Sequence, residues 1–202
     1  RTLNEALASL PGIYGTYDHQ YDFLGTRGGG ILGDFNTRVL ITINGNRIND
    51  ATYDQGPTGR DFPLDIDLIE RIEFIPGPGS AVDGQNAMLG VVNIITRNGS
   101  DIKGVELSTA YQTAETQVQE RITMGKAFNN GLDALVSFAG LQSSGQDLFF
   151  QYGDTGISGV ARNQNGENLE QVFARATYGP LAFDFNYGDR KKQDPTGTYL
   201  SD

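Results

Sequence analysis

Hydrophobic and polar positions alternate with a period of two through most of the chain after residue 103. Consecutive side chains of a β-strand point to opposite faces of its sheet, so this period predicts strands with one apolar and one largely polar face. Five such strands are predicted, over residues 105–111, 122–128, 132–138, 172–178 and 181–187.

The connections between these strands differ in length. Asn129–Gly131 and Gly179–Pro180 read as tight turns, whereas residues 143–168 form a long polar stretch. The tight turns therefore fall at one end of the predicted strands and the longer connections at the other. Outer-membrane barrels have this asymmetry, and a soluble sandwich can also produce it. Five strands cannot close such a barrel and would leave an open edge, so we expect the chain to be a fragment.

In the first half of the chain, some apolar residues recur at the spacing of a helix and others form runs typical of strands, which predicts an α+β domain. Leu3, Ala6, Leu7 and Leu10 share one helical face, and Pro11–Gly12 should end that helix. Residues 38–43 are rich in β-formers and are followed by Asn44–Gly45, a strong signal for a tight turn.

The rest of this half predicts a helix, two strands and a glycine loop. Pro63 can open a short helix over residues 64–70, where Asp65, Asp67 and Glu70 offset the helix dipole, and a strand follows over residues 71–75. Gly77-Pro78-Gly79 enforces a loop, and residues 91–96 read as a strand covered on both faces.

Composition narrows the classes of function. The net charge of −10 argues against a nucleic-acid partner. The absence of cysteine and the single histidine make a structural metal site improbable, and we predict neither a metal site nor a cofactor. No apolar run reaches the length of a transmembrane helix, which leaves water or a barrel as the environment. No order of nucleophile, base and acid supports an enzyme.

Five ordered motifs resemble the plug domain of TonB-dependent outer-membrane receptors. They are the Leu-Pro-Gly-Ile end of the first helix (10–13), Thr26-Arg27-Gly28, the run 37–49 ending in Asn-Gly-Asn-Arg-Ile-Asn, the run 61–73 ending in Ile-Glu-Arg-Ile-Glu, and the glycine loop with its final strand (77–96). In the second half of the chain, the likeness to the family is limited to the alternation of apolar and polar residues.

This resemblance implies an α+β plug domain over residues 1–98, followed over residues 99–202 by the first antiparallel transmembrane β-barrel strands of an incomplete barrel. It also implies binding and uptake of a scarce nutrient, such as a ferric siderophore or cobalamin, across the cell outer membrane of a Gram-negative bacterium. The expected partners are the outer-membrane lipids, the small nutrient ligand, such as a metal chelate, and TonB, through a segment upstream of Arg1. The alternative is a non-transporting surface binding module or adhesin derived from such a receptor.

The resemblance also suggests roles for individual residues. Arg27, Arg38 and Arg71 are candidates for plug-to-barrel contacts, because charges enclosed in a barrel need partners. Gly77, Gly79 and Gly84 belong to the structural glycine loop. Two residues depart from the family pattern: Pro76 stands where Arg is usual and Asp83 where Tyr is usual, which puts the locking of plug to barrel in question.

Two polar loops are the candidates for ligand contact. Residues 52–60 offer a ring for stacking, hydrogen-bonding groups and a cation, and residues 17–22 form a polar aromatic loop around the only histidine. The ligand-binding candidates are Tyr53, Asp54, Gln55, Arg60, His19 and Tyr21. Solvated loop side chains are the alternative for each of them.

Overall fold

The computed structural model of this chain describes residues 2–26, 29–30, 33–79, 84–152 and 156–195. The chain divides into two compact units, Arg1–Asn98 and Gly99–Asp202, each with its own sheet. Within the described residues, no helix is long and apolar enough to cross a bilayer.

The first unit is built on a mixed four-stranded sheet. Its elements are α1 (Leu3–Leu7), β1 (Ile13–Tyr17), β2 (Asp22–Thr26), β3 (Val39–Ile43), β4 (Asn46–Arg47), a 3₁₀ helix (Ile66–Leu68), β5 (Ile69–Pro76) and β6 (Gly90–Thr96). The sheet order is β4-β3-β6-β5, and β1 and β2 form a separate hairpin. Strand β6 runs parallel to β3 and antiparallel to β5.

The core of this unit lies on both faces of β3 and β6. All five residues of β3 are buried, and Val92 and Ile94 of β6 are fully buried. The prediction of a doubly covered strand over residues 91–96 is therefore confirmed. Leu3 and Leu7 of α1 are also buried. Each such side chain contributes about 1.5–3 kcal/mol relative to exposure to water.

Helix α1 begins where the sequence predicts but ends early. Thr2 Oγ1 accepts the Glu5 amide, and the Glu5 carboxylate accepts the Thr2 amide, so the two residues form a capping box. The helix stops at Leu7, and Leu10 is exposed rather than packed on the helical face. The chain continues through turns in which the Ser9 hydroxyl bonds the Ala6 carbonyl.

The helix predicted over residues 64–70 is wrong in type and length. Only Ile66–Leu68 is helical, as a single 3₁₀ turn, and Ile69 already belongs to β5. Asp65 caps this turn by accepting the Asp67 amide at 2.9 Å. The alternating apolar residues Ile72 and Phe74 pair with β6, so sheet pairing prevails over the helical signal.

The predicted turns of the first unit are confirmed. Asn44 (φ +51°) and Gly45 (φ +82°) connect β3 to β4 in the left-handed region that this tight turn requires. Gly77 has a φ of +106°, and its amide donates to the Leu89 carbonyl at 3.0 Å. The Gly79 amide donates to the Ala87 carbonyl at 2.7 Å, so backbone bonds fasten the glycine loop to the chain before β6.

The second unit is an antiparallel meander with one inserted hairpin. Its elements are α2 (Gly99–Ile102), β7 (Gly104–Gln112), β8 (Gln117–Ala127), β9 (Leu132–Ser143), β10 (Leu148–Tyr152), β11 (Ile157–Ala161), β12 (Glu167–Tyr178) and β13 (Leu181–Lys192). Strands β7, β8, β9, β12 and β13 form one sheet in chain order, and β10 pairs only with β11. The five predicted strands are confirmed, and the long polar connection contains a hairpin that the sequence pattern did not indicate.

One face of the five-stranded sheet is apolar and exposed. The register aligns Leu107, Ile122, Phe138, Val172 and Tyr187 in a single row across the five strands. Leu107 is 77% exposed. Further large apolar side chains on this face are also exposed: Val105, Met124, Tyr178, Leu181, Phe183 and Phe185.

The opposite face is polar and carries ion pairs between neighbouring strands. Arg175 Nη1 lies 2.6 Å and 2.8 Å from the two carboxylate oxygens of Asp184. Arg190 Nε lies 2.5 Å from Glu167 Oε1. A sheet that faces water on one side normally exposes its polar face, and this sheet has the reverse arrangement.

Candidate ligand-binding site

The loop after β4 is folded by the carboxylate of Asp50. Its two oxygens accept the backbone amides of Thr52 (2.8 Å), Tyr53 (2.8 Å) and Gln55 (2.9 Å). The Tyr53 amide is the largest of several influences that lower the pKa of Asp50 below its ordinary value, because it stabilises the charged form. The turn presents the Tyr53 ring to solvent, 71% exposed.

Asp54 sits beside Tyr53 in the left-handed region (φ +58°) and is held at both its backbone and its side chain. Its carboxylate pairs with Arg47 Nη2 of β4. Its carbonyl accepts the side-chain amides of Asn49 (3.2 Å) and Asn86 (3.3 Å). The ion pair and these two asparagines fix the first half of the loop.

Asn36 holds the second half of the loop. Its buried side chain accepts the Leu24 amide at 2.7 Å and donates to the Asp22 carbonyl (3.0 Å), the Gly56 carbonyl (2.8 Å) and Thr58 Oγ1 (2.9 Å). One side chain therefore ties the start of β2 to the loop. A buried amide that uses all its groups in this way rigidifies the segments it joins.

The polar aromatic loop between β1 and β2 lies near the same asparagine. The Asp18 carboxylate closes this loop by accepting the amides of Gln20 (2.9 Å) and Tyr21 (2.6 Å). The Tyr21 ring packs edge-on against Phe35, with ring centroids 5.2 Å apart. Half-buried His19 has its ring 5.6 Å from that of Tyr17.

The predicted ligand residues come from two loops. Tyr53, Asp54 and Gln55 belong to one turn of the loop after β4. Tyr21 belongs to the loop between β1 and β2, and its ring packs on Phe35, whose carbonyl accepts the Gly56 amide at 3.0 Å. Arg60 is half-buried in the same loop, next to Gly59, where an added Cβ would lie 2.1 Å from Asp22 Oδ2. The role of these residues in ligand contact stays a prediction.

Sequence reasoning missed the residues that support the site. Asn36 and Asn49 are buried and Asn86 is half-buried, and each bonds backbone groups of the loops around residues 50–58. Asn36 and Asn86 both have positive φ, which asparagine tolerates better than most residues. In the sequence, an asparagine in a polar stretch indicates only a turn. The hydrophobic pattern therefore does not distinguish these three supporting asparagines from asparagines that face solvent.

The structure places two of the three predicted plug-to-barrel arginines in local ion pairs. Arg38 Nε lies 3.1 Å from Asp34. Arg71 Nε lies 2.9 Å from Glu73, and its Nη1 lies 3.2 Å from Glu70. Arg27 and Asp83 lie outside the described residues. Contact of these arginines with a barrel wall stays a prediction.

Glu73 links Arg71 to the centre of the sheet. Asn93 Nδ2 donates to Glu73 Oε2 at 2.9 Å, and this bond, followed by the one from Arg71, lowers the pKa of Glu73. The side-chain hydrogen bond with Glu73 likewise raises the pKa of Arg71.

No group of three or more acidic or histidine side chains in the described part of the chain is arranged to hold a metal ion.

A comparison with protein families matches residues 1–91 to the TonB-dependent receptor plug domain. Residues 1–91 are a TonB-dependent receptor plug domain. The match contains both candidate loops and all three asparagines, so the candidate site lies within the plug.

Solved structures match nearly the whole chain in fold. A variant of the ferric enterobactin receptor of Pseudomonas aeruginosa, in complex with enterobactin, superposes with a TM-score of 0.61 at 21% identity over 94% of this chain. The FrpB iron transporter of Neisseria meningitidis gives 0.63 at 20% identity over 94%, and the ferric citrate transporter FecA gives 0.63 at 16% identity over 95%. The chain spans 30%, 30% and 29% of those three chains.

These comparisons confirm the expected fold class of an α+β plug followed by antiparallel strands of a receptor-type barrel. The neighbours named here are receptors and transporters rather than enzymes. At these identities the likeness concerns the fold, and the ligand of this chain has to be argued from its own residues.

Proposed function

We propose that this chain forms the plug (residues 1–98) and the first barrel strands (residues 99–202) of a TonB-dependent outer-membrane receptor. The receptor binds a scarce nutrient on its outer side and imports it with work supplied by TonB. One observation carries the proposal: the five-stranded sheet exposes its apolar face and keeps ion pairs such as Arg175–Asp184 on the other. A barrel wall between lipid and a polar lumen needs this arrangement.

The ligand class we favour is a ferric chelate such as a siderophore, with cobalamin as the second candidate. The solved neighbours bear the names of enterobactin, iron and citrate systems. The candidate loop supports recognition of a chelate of this kind, since Tyr53 presents an exposed ring and Arg60 a cation close to one another in the sequence. Rings stack on planar groups and guanidinium binds carboxylate or catecholate oxygens.

Uptake of radiolabelled iron chelates tests this function directly. The intact protein is expressed in a Gram-negative strain that lacks its own chelate receptors, with and without TonB. We expect accumulation of at least one ferric chelate that depends on both the protein and TonB. Binding at the cell surface without accumulation in either strain would contradict transport.

A non-transporting binding module is the second candidate, and one observation favours it. Pro76 pairs with Gly90 at the end of β5, where the family usually has an arginine that contacts barrel carboxylates. A plug that is not locked in this way could bind ligand without coupling to TonB. The substitution Pro76→Arg restores the family pattern and distinguishes a transporter from a binding module. If the ferric chelate accumulates only in cells that carry this variant, the natural sequence is impaired in transport.

A further inference from the structure

The two units are joined by residues that have the composition of a flexible linker but are bound to the second unit. The sequence at the junction is Asn98-Gly99-Ser100, and the second unit begins at Gly99. Residues 99–102 form the helix α2, which packs against β8 and β9. The contact lies near residues 128–131, the short connection between these two strands.

The carboxylate of Asp133 in β9 binds the first turn of α2. One carboxylate oxygen accepts the Gly99 amide at 2.6 Å, and the other accepts the Ser100 amide at 2.9 Å. The first amides of a helix have no partner within the helix, so Asp133 satisfies two donors that would otherwise need water. Hydrogen bonds to an ionised group are roughly twice as strong as those between neutral groups.

Two glycines allow α2 to lie directly on the sheet. A Cβ added to Gly99 would lie 2.0 Å from the Ala134 carbonyl oxygen. A Cβ added to Gly125 of β8 would lie 2.6 Å from the Cβ of Ile102 and 2.9 Å from the Cα of Gly99. Real Cβ atoms do not approach other atoms so closely, so a larger residue at either position would displace the helix.

The far end of α2 is bound as well. Ile102 is buried, and the Lys103 amide donates to the Gly99 carbonyl at 3.1 Å. Lys103 (φ +53°) and Gly104 (φ +142°) then turn the chain directly into β7. The helix is therefore held at its start by β9, along its length by β8 and at its exit by β7. We call α2 together with Asp133 and Gly125 the junction clasp.

We propose that the junction clasp is a fixed anchor that keeps the end of the plug fastened to the barrel strands while the plug changes conformation during transport. The inference rests on the proposed function, in which TonB pulls on a segment upstream of Arg1, at the opposite end of the plug sequence. Release of residues 99–103 would add up to about 17 Å of extended chain between plug and strands. The clasp prevents this extension, so the last plug residues stay in place when the first ones are pulled.

Hydrogen exchange of the intact protein in detergent, at increasing urea concentrations, tests whether the clasp opens with the plug or with the strands. We expect the amides of residues 99–103 to stay protected at urea concentrations at which β3 and β6 already exchange, because segments that unfold as one unit exchange together. Exchange of residues 99–103 in step with β3 and β6 would overturn the proposal. This measurement requires neither ligand nor transport.

Two variants loosen the clasp by different routes. Asp133→Ala should speed the exchange of residues 99–103 by about tenfold or more, because it removes two hydrogen bonds to a charged group. Gly125→Val should have the same direction of effect, because its side chain would crowd Ile102. Glu120→Ala, on the opposite face of β8, is the control and should leave this exchange unchanged. Unchanged exchange in both clasp variants would contradict the role of these contacts.

A reversible crosslink tests whether the clasp has to open during transport. The chain has no cysteine. Because Cβ atoms at positions 102 and 125 would lie 2.6 Å apart, Ile102→Cys with Gly125→Cys can form a disulfide after a shift of about 1 Å. We expect equal TonB-dependent uptake of the ferric chelate with the disulfide formed and after its reduction by dithiothreitol. Uptake that stops on oxidation and returns on reduction would overturn the fixed anchor.

The outcomes separate this inference from the proposed function. If the natural protein takes up no ferric chelate, the proposed function fails, and hydrogen exchange still decides whether the clasp belongs to the strands. If uptake depends on TonB but residues 99–103 exchange with the plug, the proposed function stands and the fixed anchor is wrong.

Discussion

The side-chain amide of Asn36 lies 2.8 Å from the carbonyl oxygen of Gly56, in the loop that presents Tyr53, and its oxygen accepts the Leu24 amide of β2 at 2.7 Å. The side-chain nitrogen also donates to the Asp22 carbonyl and to Thr58 Oγ1. A single buried asparagine therefore decides where the candidate ligand loop stands relative to the aromatic loop between β1 and β2.

Asn36→Asp should weaken both stability and ligand binding. A carboxylate in place of the amide would face the carbonyls of Asp22 and Gly56 with no hydrogen to donate, so we expect a loss of about 1–3 kcal/mol in the free energy of unfolding. Urea denaturation measures this loss. Asn46→Asp, at an exposed position of β4, is the matched control and should remain near wild type. Equal effects of the two substitutions would refute a special role for Asn36.

Tyr53→Ala combined with Arg60→Ala should weaken binding of the ferric chelate identified by uptake without loss of folding. The Tyr53 ring is exposed, and the Asp50 turn is bonded to the Tyr53 backbone amide, so truncation of the ring leaves that bond in place. We expect affinity to fall by about tenfold or more, as truncation of contact residues at a binding site commonly does. Titration calorimetry gives the affinity, and unchanged affinity would exclude this loop as the ligand contact.

Acid should open the Asp50 turn. The amides of Tyr53, Thr52 and Gln55 favour the charged carboxylate, so the folded pKa of Asp50 lies below its ordinary value of 3.8. A group with a depressed pKa contributes stability above the unfolded value and loses it as the pH falls through the folded value. Hydrogen exchange at these three amides should therefore accelerate, after correction for intrinsic rates, as the pH is lowered below about 3.8. In Asp50→Asn the protection should be weaker and should not change with pH, and the same acid response in both proteins would contradict the assignment.

Gly77→Val should destabilise the plug through the backbone. Gly77 has a φ of +106°, and an added Cβ would meet no atom within 4 Å, so the cost arises from the dihedral angle and not from crowding. We expect a loss of about 1–2 kcal/mol or more. Gly77→Asn should cost less, because asparagine tolerates positive φ better. Thermal unfolding compares the two, and Gly159→Val, at an open position of β11 without positive φ, controls for the added side chain.

Phe183→Arg should impair membrane insertion, whereas Ala182→Arg should not. The two residues are consecutive in β13 and point to opposite faces, Phe183 outward among the apolar rows and Ala182 toward the polar face. A cation on the lipid-facing side costs about 2–4 kcal/mol at the bilayer midplane and less towards the strand ends, and Phe183 is the third residue of β13. The fraction of intact protein that folds in lipid vesicles, read from its heat-modifiable mobility on gels, measures the effect. Equal impairment by both substitutions would argue against lipid contact on the Phe183 face.

Local pattern was sufficient for much of the fold. The period of two after residue 103 located all five long strands, and the Asn44–Gly45 and Gly77–Gly79 signals located two backbone reversals that the structure confirms. These features depend on the backbone and on the nearest neighbours in the chain, which is why the sequence alone specifies them. The ordered motifs of the first half were specific enough to indicate the plug.

Only the tertiary structure decided the features that depend on distant partners. Ile69 and Glu70 became strand instead of helix because β6 offers a pairing edge. Asn36, Asn49 and Asn86 became supports of the ligand loop because their partners lie between 5 and 49 residues away, a set of separations that no periodicity encodes. Glu120, Glu170 and Asp189 lie in one row because the register of β8, β9, β12 and β13 aligns them, and each of them alone reads as an ordinary surface charge.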